Sequence, residues 1–121
     1  MSILDWVLHG FLAFAFVSAG GMKLVFPKEW LHERGMSFVE DFSQTQVRMI
    51  GVLEVLGGLG VILPVMLNIL PVVSGVAAAG LLLTMLGAAL THIKRSEMIN
   101  ITANLVLGGV AGYVAFLHLA G

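Results

Sequence analysis

The chain has 121 residues and not one cysteine. Disulfides, thiol redox relays, thiolate metal sites and palmitoylation are therefore excluded within it. Charge is scarce too. Only 11% of the residues are Asp, Glu, Lys or Arg, against about 25% in a soluble domain. The net charge of −1 supplies no basic footprint, so no nucleic-acid partner is expected. Prolines number three, which leaves long stretches free of the commonest helix breaker. Apolar residues fill the space. They make up 59% of the chain, with a mean hydropathy of +1.02, whereas a soluble domain has about 45–50%. This composition predicts an integral membrane protein in contact with the lipid bilayer. The length allows one domain and about four spans, since a helical span takes about 20 residues.

The pattern predicts an all-α fold, a four-helix transmembrane bundle forming a single domain over 1–121. Its helices are expected over about 3–26, 46–66, 71–91 and 98–119, each near the length a bilayer requires. Segment 27–45 is the one long polar stretch. Pro27 suits the first position of a short helix and Gly35 the place just past its end. This segment is too short and too polar to span, so it reads as an interfacial amphipathic helix with Trp30 at headgroup level. Ser43 or Thr45 is placed to cap the second span. The link from Pro64 to Pro71 is nearly apolar, with Asn68 its only polar side chain, so spans two and three form a tight hairpin. His92 to Glu97 reads as a charged turn. Gly51 and Gly58 are one heptad apart, as are Gly80 and Gly87, a period that suits close crossings in a left-handed bundle. Gly108-xxx-Gly112 is read as internal packing, with a homo-oligomer face as the alternative.

Topology follows from the positive charges. Lys23, Lys28, Arg34, Arg48, Lys94 and Arg95 all lie beside the first and third links. The positive-inside rule places those links in the cytoplasm and both termini outside a multi-pass cell (inner) membrane protein. Val17-Ser18-Ala19 resembles a signal-peptidase site, but MSILDW carries Asp5 and no Lys or Arg, so the first helix is expected to be retained.

Glu54 is the residue that asks for an explanation. It lies within RMIGVLEVLGGLGVIL, and a carboxylate at membrane depth costs roughly 2.5 kcal/mol or more. Pairing, protonation or hydration must compensate. Lys23, near the end of the first helix, is the expected partner. Arg48 lies six positions away, about 240° around the helix, and is not placed on the same face. His92, Asn100 and Asn104 fall at the same depth on the third and fourth spans. Lys23, Arg48, Glu54, His92, Asn100 and Asn104 thus form the candidate polar cluster. One reading is a site for a polar headgroup or a small protonatable molecule; the other is a satisfied network that fixes helix register. His9 and His118 read as interfacial histidines with wet tips, and His32 as exposed. No HxxxH or ExxH spacing around His9 or His118 supports a metal there, and no Walker motif or nucleophile elbow is present. No catalytic residue is assigned.

Two stretches carry a family resemblance. Gly20-Gly21-Met22-Lys23-Leu24 followed by Pro27 resembles the element closing helix one of DoxX-like membrane proteins. Arg48-x-x-Gly51-x-x-Glu54-x-x-Gly57-Gly58-Leu59 resembles their second-helix pattern. The resemblance spans nearly the whole chain. It implies a four-helix transmembrane bundle and a role for Lys23, Arg48 and Glu54. Family members are associated with quinone-linked sulfur oxidation and membrane redox complexes, and distant relatives with receptor assembly. The chain has no cysteine and no evident haem or flavin ligand set, so it is not expected to be catalytic on its own. The resulting expectation is an accessory or binding protein holding a lipid-like or quinone-like molecule, or a partner helix, at the Lys23/Glu54 site. The alternatives are a membrane subunit of a quinone-linked oxidoreductase and a small proton-coupled transporter.

Overall fold

A computed structural model of the chain describes residues 1–120. Four helices are long and apolar enough to cross a membrane: α1 (Ile3–Val25), α3 (Gln44–Leu67), α4 (Val72–Lys94) and α5 (Met98–Leu119). Between the first two lie a short helix, α2 (Lys28–Glu33), and a 3-10 turn, Ser37–Asp41. The all-α bundle with a short helical connection after the first span is thus the observed architecture.

Local chemistry sets the boundaries. The Ser2 hydroxyl accepts from the Asp5 N–H and the Asp5 carboxylate accepts from the Ser2 N–H, a reciprocal cap that starts α1. Ser43 and Gln46 repeat the arrangement at α3. Ser43, not Thr45, is therefore the cap, and α3 begins two residues before its expected start. Pro64 lies inside α3 and the helix still runs to Leu67, where Asn68 adopts a left-handed conformation with φ 54°. Asparagine tolerates that region better than most residues. One boundary differs more. The sequence reading stops the third span at 91 and puts His92 in the turn, but α4 continues to Lys94. No glycine or proline interrupts it there, and basic side chains are favoured in a helix's last turn.

The helices pack as a ring. α1 lies on α3, α3 on α4 and α4 on α5, and α5 closes back on α1. Leu12 and Phe16 from α1, Val61 from α3, Leu81 and Met85 from α4, and Val114 from α5 meet in the core. Gly108 and Gly112 face Leu82 of α4, so this small-residue pair packs inside the bundle. The outer face is strongly apolar. Phe14 is 75% exposed and Ile99 87%, a surface suited to lipid and a liability in water. A second cluster of Leu31, Val39 and Val47 seats the α2 segment against the end of the bundle. Trp30 stacks on Phe26 with ring centroids 3.9 Å apart, and the Arg34 guanidinium lies 4.3 Å above its ring.

Candidate functional site

Two glycines make the site possible. At the α1/α3 crossing, a Cβ on Gly20 would sit 2.6 Å from the Gly51 carbonyl oxygen, and a Cβ on Gly51 would sit 2.7 Å from that of Gly20. Any side chain at either position would push the backbones apart. Their close approach brings Lys23, one turn on from Gly20, across to Glu54, one turn on from Gly51. The Lys23 ammonium donates to Glu54 Oε1. Both residues are buried, at 6% and 3% exposure. The charges compensate each other, which removes most of the penalty of an unpaired ion in a low-dielectric setting.

Beside this pair lies a pocket of about 420 Å³, within the range of small-ligand sites. Phe16, Ala19, Met85, Ala88 and Leu107 make its walls mostly apolar. Thr84 and Thr91 also line it, but each hydroxyl bonds its own helix at the carbonyl four residues back. Such back-bonding lets a threonine sit in an apolar span without another partner. Asn104 differs. Its Nδ2 is cut off from solvent and has no hydrogen-bond partner.

The 3-10 turn closes the linker end of the pocket. Phe38 lies between the Lys23 ammonium, 5.5 Å from its ring centroid, and the His92 ring, 5.4 Å away and edge-on. The turn is tied down by charge. Ser37 donates its hydroxyl to Glu97, and Arg95 bonds Asp41 and Glu40 at 3.0 Å each. His92 Nδ1 lies 2.7 Å from Glu97 Oε1. The Ser37 hydroxyl and then His92 draw the Glu97 carboxyl down to about 2. The Arg95 guanidinium holds Glu40 below its ordinary value, and Glu40 in turn raises Arg95.

The sequence of the DoxX-like family matches residues 7–114, from the early turns of α1 into the last turns of α5. The chain belongs to this DoxX-like family. No curated protein and no solved structure matches it.

The DoxX-like bundle brings together Lys23, Glu54, His92 and Asn104, all of which line the pocket. It does not bring in the other two candidates. Arg48 is exposed on α3, as its position around the helix implied, and Asn100 is half-buried away from the pocket lining. Sequence reasoning missed Thr84 and Phe38. A threonine in an apolar span and an aromatic in a connecting loop carry no signal of a shared site. It also misread His9. That side chain is fully buried, not a wet interfacial tip. Its Nδ1 donates to the Asp5 carbonyl at 2.7 Å and its Nε2 lies 2.8 Å from His118 Nε2. Tyr113 donates to Asp5 Oδ1 at 2.6 Å. The Asp5–His9 spacing was visible locally, but the partners come from the far end of the chain. These contacts tie α1 to α5 at the end where both termini lie. Among the described residues, no group of three or more His, Cys, Asp or Glu side chains is placed to hold a metal.

Proposed function

We propose that this DoxX-like protein is a membrane accessory or binding protein that holds a lipid-like or quinone-like molecule, or a partner helix, at the Lys23–Glu54 site. The observation that carries this reading is a buried ion pair at the edge of an apolar pocket. An ion pair is a costly way to stabilise a core, because apolar residues of the same volume do as well or better. A charged pair beside a mostly apolar pocket is better suited to receiving the polar end of a molecule. The basic residues cluster at the linker end, which supports placing that end in the cytoplasm and both termini outside. The test is a native mass spectrum of the protein extracted in mild detergent. A discrete added mass is expected on the wild-type chain and is lost in Glu54→Gln. A bare wild-type chain, or equal retention by Glu54→Gln, would overturn the reading. The same spectrum reads out the oligomeric state.

A second reading has one observation in its favour. His92 lines the pocket and bonds Glu97 at the linker end, an arrangement that suits proton passage in a subunit of a quinone-linked oxidoreductase. It predicts quinone-coupled electron transfer only in a complex with a redox partner, and slowed turnover in His92→Phe. Full turnover by that variant in the complex would count against it.

A further inference from the structure

The gap between α3 and α4 is not uniform. At the hairpin end the two helices are in close contact. The Ser74 hydroxyl donates to the Val61 carbonyl at 2.6 Å. A Cβ on Gly57 would strike Leu81 at 2.5 Å, and one on Gly60 would meet Ala77 at 2.9 Å. At the linker end the pocket lies between them. Ile50 and Glu54 of α3 face Thr84, Gly87 and Thr91 of α4 across the pocket. Gly87 itself is exposed, and a Cβ there would meet nothing within 4 Å. The helices therefore diverge from a tight vertex into a cleft. Gly87, at once exposed and part of the pocket lining, marks where that cleft would open through the side of the bundle, at span depth.

The groups inside define what would fit. Lys23 uses Glu54 Oε1, and among the described residues Glu54 Oε2 has no protein partner. It is a free acceptor. Asn104 Nδ2 is a buried donor without an acceptor, and a buried polar group left unpaired costs about 1–3 kcal/mol. A hydroxyl group answers both, since it donates one hydrogen bond and accepts others. A charged head is disfavoured. The Lys23 and Glu54 charges already cancel, so an incoming phosphate or ammonium would lose water without gaining a counter-ion.

We propose that the α3/α4 cleft admits a neutral, hydroxyl-headed, single-tailed lipid sideways from the bilayer, with its hydroxyl between Asn104 Nδ2 and Glu54 Oε2 and its tail passing out by Gly87. This deepens the pocket reading above and rests on it. Gly87 is the sill of the cleft, and Asn104 selects for the head.

The test uses the full chain in phosphatidylcholine nanodiscs. The probe is a monoacylglycerol with a photoreactive diazirine in its acyl chain. The expected result is crosslinking to α3 and α4, displaced by unlabelled monoacylglycerol. The methyl ester of the same acyl chain, which lacks a donor, should compete at least tenfold less well, and so should lysophosphatidylcholine, whose zwitterionic head carries both a phosphate and an ammonium. Gly87→Phe should cut labelling at least fivefold, and Asn104→Leu should weaken competition by about tenfold. Gly109→Phe, an equal change on an exposed face of α5, should leave labelling unaltered. Equal labelling of Gly87→Phe and wild type would overturn the lateral route. Equal competition by the ester would overturn the hydroxyl head. Failure of the probe to label a wild-type chain that still carries an added mass would overturn this proposal and leave the pocket reading standing. Failure of both would remove the two together.

Discussion

At the residue scale, the Lys23–Glu54 pair holds the account together. Removing one partner leaves the other charge buried and alone, which typically costs about 3–5 kcal/mol. Lys23→Met and Glu54→Leu should therefore each destabilise the bundle by about that amount in reversible unfolding. The double variant should recover most of the loss, because two apolar side chains need no compensation. Single variants within about 0.5 kcal/mol of wild type would mean that the pair is not buried as described. Gly20 belongs to the same argument. With 2.6 Å between its Cβ position and the Gly51 carbonyl, Gly20→Val must separate α1 from α3 and pull Lys23 away from Glu54. It should lower stability by about 1–3 kcal/mol, as overpacking does, and abolish retention of any bound molecule. Much of this was legible in the sequence. A carboxylate in an apolar run demands a partner, and Lys23 was one of few cations at the right depth. The buried state of His9 was not legible, because its partner His118 is 109 positions away.

At the scale of elements, the 3-10 turn and the α4–α5 connection behave as one unit, joined by Ser37, Glu97, Arg95 and Glu40. The Glu97 carboxyl is drawn from an ordinary 4.5 to about 2 by the Ser37 hydroxyl and His92. A depressed folded-state value means that its contribution is fully present above about pH 4.5 and is lost as pH falls through about 2. The protection of amides in residues 37–42 from exchange, taken relative to the intrinsic rate at each pH, should therefore fall across that acid window, and Glu97→Gln should show the lowered protection already at neutral pH. A flat acid profile in the wild type would contradict the linkage. The Ser43 cap gives a smaller effect. Ser43→Ala should cost about 1 kcal/mol, seen as fraying of the first turn of α3 by the same exchange measurement. Helix existence and type could be read from apolar runs and caps. The extension of α4 through His92 could not, since no residue marks a stop and the helix ends only where the Glu97 N–H bonds the His92 carbonyl.

At the scale of the molecule, four apolar spans and an outward face of large exposed side chains describe a protein that lipid completes. Composition alone carried that conclusion, and the family match over residues 7–114 agrees with it. Interior shape was beyond the sequence. That α3 and α4 touch at Ser74 and Val61 but have the pocket between them at Glu54 and Thr84 depends on side chains fitting together across helices, and no local pattern encodes it. The pocket is the product of that divergence together with the polar groups that face it.

The most direct test of the pocket reading separates binding from folding in one chain. The Lys23→Met/Glu54→Leu double variant should keep the bundle, with α-helical content and unfolding close to wild type, while losing the polar edge of the pocket. Native mass spectrometry of that variant beside the wild type is the measurement to make. An added mass is expected on the wild-type chain and none on the folded double variant. The same added mass retained by the folded double variant would contradict it and assign the Lys23–Glu54 pair to holding α1 against α3 alone.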